Sequence, residues 1–480
     1  MNSPNSSTDW NGEQEPRSVG LWAFELSVDL IVRNARVGSN PDIVTDIAVS
    51  DGIVQELGAA AASGDTEIDA LGALVTPGGV DPHCHMAQIS STGVPTDDDI
   101  HSGTWSAING GTTTVGAFAV QHRGDQVRDV VNAMVDRVSR EAVADVALHL
   151  ILTEWSESIK SDLDWVLDRG IVSLKIFTTY DRLRLAPDAV IDAMAAAGRH
   201  GMSIMVHAED DVMITEGRSR AIATGLTDAR GHQESHSRLA ESAGVAEALR
   251  FADRADVPIY LVHISTAGSL DEIRSARSKG AAVTVESCPH YLWLDEALLQ
   301  GDLTTTAAFM SSPPLRGAED REALWAALVA GEIDVVASDH SPYRMDAGKL
   351  PNGNATVFTE VANGMPGVEM RMPLMMSAVA DGRLTLERAL EACCTTPAQF
   401  LGVYPQKGAL LPGSDADLVI WDTGVERTVH HRDLHDAVDY TPYEGLRVTT
   451  WPSQVLFRGQ PVGRSSSPGS ASYLKRQVSS

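Results

Sequence analysis

The sequence predicts an α/β protein, a (β/α)8 TIM-type barrel joined to a small β-sandwich domain that both chain ends build. Two patterns indicate this architecture. Short apolar runs alternate with longer helical stretches from about residue 75 onward, as in parallel strands joined by helices. Segments typical of β-strands, broken by Gly, Asn, Asp and Pro, lie on both sides of that region. A chain of 480 residues has room for one large domain and at least one smaller one.

The composition divides the chain into four parts. Residues 1–27 are rich in Ser, Asn, Gly, Pro and Glu and have no apolar period, which predicts a mobile tail. We expect the β-sandwich from residues 28–75 together with 405–463, and the barrel from residues 76–404. Residues 464–480 are again rich in Ser and are predicted to form a C-terminal tail.

The barrel is predicted from eight apolar runs, each continuous enough to be buried on both faces of a parallel sheet. In chain order these runs are GALVTPGGVDPHCH, TTTVGAFA, VALHLILT, VSLKIF, MSIMVHA, PIYLVHI, AAVTVESC and IDVVASD. Amphipathic helices are predicted between them. The clearest has apolar residues at positions 127, 130, 131, 134 and 138, with charges on the opposite face.

The bulk composition limits the function. Hydrophobic residues make up 43% and charged residues 21% of the chain, as in ordinary globular proteins. The 37 basic and 65 acidic residues give a net charge of −28, which argues against a nucleic acid or an anionic membrane as partner. The first thirty positions lack a basic start and an apolar signal core, so we expect a cytoplasmic location. The four cysteines show no CxxC spacing and are expected to be reduced thiols.

Several apolar runs end in residues that can bind metal ions. Because the carboxyl ends of barrel strands converge on one face, such residues meet there although they are far apart in the sequence. His83 and His85 are two residues apart, which points both side chains to the same side of a strand. An isolated HxH pair is weak evidence, but further histidines at strand ends strengthen it. The candidate metal ligands are His83, His85, Lys175, His207, His263 and Asp339.

Each single histidine also has a simpler interpretation, as a hydrogen-bonded core or surface residue. We prefer that interpretation for His101, His122, His149 and His200. For Asp339 the alternative is a helix cap or a loop acid. The apolar run VVAS delivers Asp339 to the same barrel face as the histidines, which favours a metal ligand.

Lys175 follows the apolar run IVSL at the end of a predicted buried strand. A charged lysine is costly there unless its charge is removed or paired. A deprotonated amine could add carbon dioxide to give a carbamate, whose two oxygens could bridge two divalent cations. The alternative is a lysine paired with a nearby acid, which the residue taken alone favours.

Longer motifs follow one another along the chain: GGVDPHCH, SLKIFTTY, MVHAEDD, LVHISTAGS, ESCPHYL, SSPPLR, ASDHSPY, FTEVANGMPGVEMR and KGALLPGSDADLVIWD. In order and spacing they resemble those of the dihydropyrimidinase/hydantoinase branch of the amidohydrolase superfamily. The likeness extends from about residue 28 to residue 463. Single DxHxH motifs occur across the superfamily, whereas SLKIFTTY combined with SSPPLR and FTEVANGMPGVEMR is specific to this branch.

The resemblance implies roles for named residues. The six candidate ligands would hold two divalent metal ions, usually zinc, with Lys175 as its carbamate (N6-carboxylysine). Tyr180 resembles the tyrosine that donates to the substrate carbonyl oxygen, and Ser312 and Asn363 resemble the residues whose main chain holds the ring amide. Without the resemblance, these three residues would be a tyrosine at the barrel rim and two residues in turns.

The implied reaction is hydrolytic ring opening of a cyclic amide, a hydantoin or a 5,6-dihydropyrimidine, to an N-carbamoyl amino acid by a metal-bridged hydroxide. Zinc lowers the pKa of bound water to near 7, so hydroxide is available at neutral pH. Asp339 would accept the proton of the hydroxide and pass it to the leaving ring nitrogen. Tyr180 would stabilise the oxyanion that forms on the carbonyl oxygen. The resemblance also implies a homotetramer and no organic cofactor.

The sequence departs from the family at the predicted pocket. Cys84 stands between the two histidines where most relatives have Thr, and strand alternation makes it a small packing residue. The segments MAQISSTGVPTDD and GAFAVQHRG replace the usual loops. We therefore expect Met86, Phe118 and the segment after Tyr180 to form the apolar pocket for the ring substituent, while substrate and preferred enantiomer stay open.

Two alternative functions share this fold. Allantoinases and dihydroorotases use the same ligands, but dihydroorotases usually carry an Arg just after HxH, where this chain has Met86 and Ala87. Non-catalytic dihydropyrimidinase-like scaffold proteins keep the fold and lose ligands. All six candidate ligands are present here, which argues against a scaffold.

Overall fold

The computed structural model describes residues 28–38, 43–58, 63–463 and 467–478. The tail predicted for residues 1–27 lies outside the described residues. The strands are Val28–Arg36 (β1), Val44–Ser50 (β2), Ile53–Gly58 (β3), Gly64–Asp69 (β4), Leu74–Pro77 (β5), Gly79–Cys84 (β6), Thr112–Gln121 (β7), Asp145–Leu152 (β8), Ser173–Phe177 (β9), Ser203–His207 (β10), Ile259–Leu261 (β11), Val283–Ser287 (β12), Val335–Val336 (β13), Leu418–Thr428 (β14), Arg447–Phe457 (β15) and Gln460–Pro461 (β16).

The α-helices lie between strands β6 and β13 along the chain and after β13. They are Ile100–Asn109 (α1), Val127–Glu141 (α2), Glu157–Ser161 (α3), Leu163–Asp168 (α4), Pro187–Arg199 (α5), Asp211–Ala223 (α6), Ala229–Ser235 (α7), Arg238–Ala255 (α8), Ala267–Ser278 (α9), Pro289–Trp293 (α10), Leu303–Thr306 (α11), Ala318–Val329 (α12), Val368–Ala380 (α13), Leu386–Leu390 (α14) and Thr396–Phe400 (α15). No helix of the described residues combines the length and the apolarity that crossing a membrane requires.

Strands β6 to β13 form one parallel sheet in which each strand pairs with the next along the chain. A parallel bridge between Cys84, at the end of β6, and His340, just after β13, joins the first and last strands. The predicted (β/α)8 barrel is therefore confirmed. Its strands read as continuous apolar runs because both faces are covered, and all eight residues of β8 are buried.

The helices pack on the barrel through apolar stripes of helical period. In α2 the buried residues are Val127, Val131, Met134 and Val138, at the spacing that the sequence predicted. Capping side chains define several helix starts. At α6 the carboxylate of Asp210 accepts from the backbone N–H of Met213, which satisfies one of the free donors of the first turn.

Both chain ends build a second, mixed sheet outside the barrel, as predicted. Its strand order is β16-β15-β14-β5-β1-β2-β3, and β4 pairs in parallel with β1. A buried charge cluster connects this sheet to the barrel. Nζ of Lys407 lies 2.8 Å from a carboxylate oxygen of Asp415 and 2.8 Å from one of Asp417. It also lies 2.5 Å from a carboxylate oxygen of Asp145, the first residue of β8.

The C-terminal segment differs from the tail predicted for residues 464–480. Within the described residues 467–478, Tyr473 bridges Val146 in parallel, and the N–H of Leu474 donates to the Val146 carbonyl at 2.8 Å. Arg476 is buried and donates to Ser173 Oγ at 3.1 Å. The segment thus covers the amino-terminal ends of β8 and β9. Its Ser-rich composition concealed a few residues with specific partners in the barrel.

Candidate metal centre

The predicted ligands lie at the carboxyl-terminal face of the barrel. His83 is the penultimate residue of β6, Lys175 lies within β9 and His207 ends β10. His263 follows β11 by two residues and Asp339 follows β13 by three. The parallel topology therefore brings together side chains that are as much as 256 residues apart in the sequence, as from His83 to Asp339.

Three of the predicted ligands form one tight group. His83 Nε2 lies 3.1 Å from His85 Nε2, and each of these nitrogens lies 3.2 Å from Oδ1 of Asp339. Burial alone would raise the pKa of Asp339, but His83 and His85 hold it well below its usual range. The carboxylate is therefore ionised. Two imidazole nitrogens and one carboxylate oxygen point at a common position, which is a donor set suited to zinc.

The other predicted ligands lie directly beside this group. His207 Nδ1 is 2.8 Å from His263 Nε2, and the rings of His83 and His263 stack with centroids 5.8 Å apart. Lys175 Nζ lies 3.5 Å from His83 Nε2. The six predicted ligands thus form one cluster with two halves, and the charge of Lys175 acts on imidazoles of both halves.

The charge state of the cluster fits a divalent metal. Burial lowers the pKa values of His83, His207 and His263, so these imidazoles are neutral and each offers a lone pair. Burial also lowers the pKa of Lys175 to about 8. Within the described residues no carboxylate lies within 4.0 Å of the Lys175 ammonium, so the alternative interpretation, a lysine paired with an acid, is not observed. Electron-pair donors therefore converge around an amine without an ionic partner.

A buried glutamate orients the first half of the cluster. Oε1 of Glu286, on β12, lies 2.7 Å from His83 Nδ1 and accepts from the backbone N–H of His263 at 3.0 Å. The hydroxyl of Tyr260 donates to Oε2 at 2.8 Å. Burial raises the pKa of Glu286 to about 8, against the opposing charge of Lys175. Because Nδ1 of His83 is engaged here, its Nε2 is the nitrogen directed at the cluster.

Two further side chains orient the rings of His85 and His207 in the same way. Gln88 Nε2 lies 2.6 Å from His85 Nδ1. His207 Nε2 lies 2.8 Å from Oε2 of Glu209, whose other oxygen lies 2.9 Å from His236 Nδ1. The sequence analysis missed these orienting residues. The signals for them were an acid two residues after a candidate ligand in MVHAEDD and an acid at the end of the apolar run AAVTVESC.

The three predicted substrate contacts line the same cavity as the ligands. Tyr180, Ser312 and Asn363 stand at its wall, and the Tyr180 hydroxyl lies 3.5 Å from Oε2 of Glu209. Burial and the charge of Glu209 raise the pKa of Tyr180 well above its usual value. The phenol therefore keeps its proton and can donate a hydrogen bond. The buried Oδ1 of Asn363 has no hydrogen-bond partner in the described part of the chain.

Three of these residues have strained backbones. Tyr180, His263 and Asp339 have φ angles of 73°, 41° and 48°, in the left-handed region that non-glycine residues rarely adopt. Such strain persists only where surrounding contacts hold it, and it concentrates at functional sites. All three lie where the chain leaves a barrel strand, and all three line the cavity.

The prediction of which residues form the pocket for the ring substituent is partly wrong. Met86 and Phe118 are buried and do not line the cavity. Met86 packs against Gly103 of α1, and the ring of Phe118 stacks on His85 with centroids 4.7 Å apart. Both therefore support the cluster from outside. In the segment after Tyr180, Leu183 does line the cavity.

Two of the four histidines that we set aside, His149 and His200, have structural contacts. His149 is a buried core residue whose Nε2 donates to the Pro82 carbonyl at 2.9 Å. His200 lies half-buried at the end of α5, where its Nδ1 is 2.7 Å from the Ala196 carbonyl oxygen. Cys84 is buried and lies 3.7 Å from Ser338 Oγ, as expected of a packing residue.

Comparison with known proteins agrees with this geometry. Residues 74–462 match the amidohydrolase family. The D-hydantoinase of Streptomyces coelicolor is 36% identical over 446 residues, which cover 91% of this chain and 95% of that protein. The D-phenylhydantoinase of Escherichia coli (strain SE11) is 35% identical over 442 residues, 90% of this chain and 94% of that protein. The crystal structure of dihydropyrimidinase from Brevibacillus agri superposes with a TM-score of 0.88 at 32% identity and covers 93% of this chain and 98% of that chain. The chain therefore belongs to the amidohydrolase family, in its hydantoinase and dihydropyrimidinase branch.

Proposed function

We propose that the protein is a metal-dependent cyclic amidohydrolase that opens the ring of a hydantoin or a 5,6-dihydropyrimidine to give an N-carbamoyl amino acid. The observation that carries this proposal is the convergence of four imidazoles, Asp339 and Lys175 at the base of a cavity that also contains Tyr180, Ser312 and Asn363. The similarity to proteins described as D-hydantoinase, D-phenylhydantoinase and dihydropyrimidinase supports the same reaction.

The six residues at strand ends would hold two divalent ions, which we propose to be zinc. His83, His85 and Asp339 would contribute to one site, and His207 and His263 to the other. We propose that Lys175 is carbamylated. A free ammonium at this position would repel two dications, whereas a carbamate supplies an anion that can bridge them. The absence of an acidic partner for Lys175 within the described residues supports this assignment.

The bound ions would supply hydroxide at neutral pH, because they lower the pKa of water to near 7. The chain's own residues then move the proton and stabilise charge. Asp339 is ionised and can accept the proton of the attacking group and deliver it to the leaving ring nitrogen. Tyr180 keeps its proton and can donate a hydrogen bond to the oxygen that develops negative charge.

Ser312 and Asn363 would position the ring. They lie in the loops after β12 and β13, on the same cavity wall as Tyr180. We propose that their main-chain groups bind the ring amide, so that the carbonyl carbon faces the metal cluster and the leaving nitrogen faces Asp339. The ring would thus be bound by backbone groups that do not depend on the ring substituent.

We further propose that the protein acts as a homotetramer in the cytoplasm. The family resemblance implies the tetramer. The four free, buried cysteines, Cys84, Cys288, Cys393 and Cys394, support a reducing compartment.

Metal analysis and a substrate panel test this function together. We expect two metal equivalents per chain and turnover of hydantoin, 5-substituted hydantoins or dihydrouracil, with allantoin and dihydroorotate as comparison substrates. Removal of the metal by a chelator should abolish turnover, and added zinc should restore it. Fully active protein with one metal or none would contradict the two-metal site. Turnover of allantoin or dihydroorotate alone would contradict the proposed substrate class.

A further inference from the structure

A second, wider chamber opens beside the cavity of the candidate metal centre. The two spaces share Ser91, Tyr180 and Asn363 in their walls. The cavity at the metal centre has a volume of about 70 Å³, whereas the chamber has about 540 Å³. A ring held between Tyr180 and Asn363, as in the proposed function, leaves little space beside the metal cluster. Its substituent would therefore extend into the chamber.

The chamber contains two guanidinium groups that have no carboxylate partner among the described residues. Arg182 lies exposed at its rim, two residues after Tyr180, and Arg218 projects half-buried from α6. Within the described ranges, no carboxylate lies within 4.0 Å of either group. The neighbouring Arg184, by contrast, lies 3.4 Å from a carboxylate oxygen of Asp211. Arg218 is close enough to Tyr180 for its charge to act on the phenol.

In the described part of the chain, the acidic residues of the chamber form no ion pair with these arginines. Glu360 accepts hydrogen bonds from Asn352 Nδ2 at 3.0 Å and from the backbone N–H of Val357 at 2.9 Å. Asp181 points into solvent, and its carboxylate lies 3.7 Å from Nε of Arg184. The two arginines and two acids of the chamber wall balance in number, but the guanidinium groups are not ion-paired with these acids and so can bind an anion beside the position proposed for the ring.

We propose, on the basis of the proposed function, that the chamber selects substrates whose ring substituent bears a carboxylate, which Arg218 binds and towards which Arg182 adds positive charge. A guanidinium presents paired N–H donors that match the two oxygens of a carboxylate. An uncharged apolar substituent would gain nothing from either arginine. The specificity of this chain would thus depend on charge at the chamber wall, in addition to the apolar contact that Leu183 provides.

Two substrates of equal size test this inference: 5-(2-carboxyethyl)hydantoin and its amide, 5-(2-carbamoylethyl)hydantoin. We expect the unchanged holoenzyme to have the higher kcat/KM for the carboxylate. Arg218→Gln should reduce the ratio of the two kcat/KM values about 10- to 100-fold, the effect expected for losing a hydrogen bond to a charged group, and chiefly through KM. Arg218→Lys should keep part of the preference, because it keeps the charge and loses the paired donors.

Arg220→Gln is the matched control, because Arg220 lies on the same helix, is exposed and does not line the chamber. It should leave the ratio unchanged. Equal or better turnover of the amide by the unchanged protein would overturn the inference and leave the proposed function intact, as would an Arg218→Gln protein that keeps the preference. Failure of the metal-loaded protein to hydrolyse both compounds, unsubstituted hydantoin and dihydrouracil would overturn the proposed function, and this inference with it.

Discussion

Nε2 of His207 lies 2.8 Å from Oε2 of the fully buried Glu209. This contact leaves Nδ1 of His207 facing His263, so the carboxylate determines which ring nitrogen is available to a metal. Burial opposes the ionisation of Glu209, but His236 and His207 outweigh it and hold the pKa of Glu209 well below its usual range. An ionised carboxylate beside an imidazole N–H also makes the opposite nitrogen a stronger electron-pair donor.

Glu209→Gln should therefore weaken metal binding about 10- to 100-fold, the usual effect of removing such an outer partner. The ion proposed at His207 and His263 should be lost first on dilution or titration with a chelator. The proposed ligands of the other ion, His83, His85 and Asp339, do not contact Glu209. Glu216→Gln, an exposed change on α6, is the control and should bind metal normally. Unchanged affinity for both ions in the Glu209 variant would exclude the orienting role.

Tyr180→Phe removes only the phenolic hydroxyl from the cavity wall. We expect kcat to fall about 100- to 1000-fold, as when a single oxyanion donor is removed, while metal content stays the same. The Tyr180 ring also contacts the His207 ring, with centroids 5.2 Å apart, and Phe preserves that contact. Tyr404→Phe, on the exposed surface, should change nothing. If Tyr180→Phe turns over at the normal rate, Tyr180 has no part in the reaction.

Lys175→Ala should lose much of the bound metal and nearly all activity, because the proposed bridging anion would be missing. A short-chain acid such as acetate should restore part of the activity by replacing the carbamate oxygens. The exposed change Lys279→Ala is the control. Carbon NMR of metal-loaded protein prepared with ¹³C-labelled carbon dioxide should show a carbamate signal that Lys175→Ala lacks. Active, fully loaded protein with a bare amine at Lys175 would disprove carbamylation.

The sequence predicted the barrel and the positions of its candidate ligands because these follow from local periodicity and strand ends. It could not predict which residues orient the ligands. His83 and Glu286 are 203 residues apart, and only the closed barrel brings them within 2.7 Å. The direction of the Met86 side chain could not be predicted from the sequence either. Its position after HxH suggested a pocket residue, but its side chain packs in the core against α1.

Lys407 lies at the join between the barrel and the outer sheet. Three carboxylates surround its ammonium, those of Asp145, Asp415 and Asp417, and they hold its pKa above its usual value although burial opposes this. Lys407→Met would leave these buried carboxylates without their shared cation, a loss that typically costs about 3–5 kcal/mol. We expect a clearly lower Tm in thermal unfolding, with Lys279→Met unchanged as the surface control. An unaltered Tm would show that Arg458 alone, 2.7 Å from Asp145, can compensate.

Lys349 leads to a different prediction, because it is buried without an acidic partner among the described residues. Its Nζ donates to the carbonyl oxygens of Met310 at 2.9 Å and Gly364 at 2.6 Å, and among the described residues no carboxylate lies within 4.0 Å of it. A neutral amine has two N–H donors, which these two carbonyls satisfy. Burial accordingly lowers the pKa of Lys349 to about 7.

This shift makes stability depend on pH. In the unfolded chain the pKa is about 10.4, so between pH 7 and pH 10 the unfolded state binds more protons at this lysine than the folded state does. The free energy of unfolding should therefore gain up to about 1.4 kcal/mol per pH unit from Lys349 in that interval. Lys349→Met lacks this gain. Denaturant unfolding of both proteins from pH 7.5 to 9.5 should show their difference in stability growing in favour of Lys349, while the difference between the unchanged protein and Lys279→Met stays constant. A difference for Lys349→Met that does not change with pH would mean that the buried amine keeps its proton.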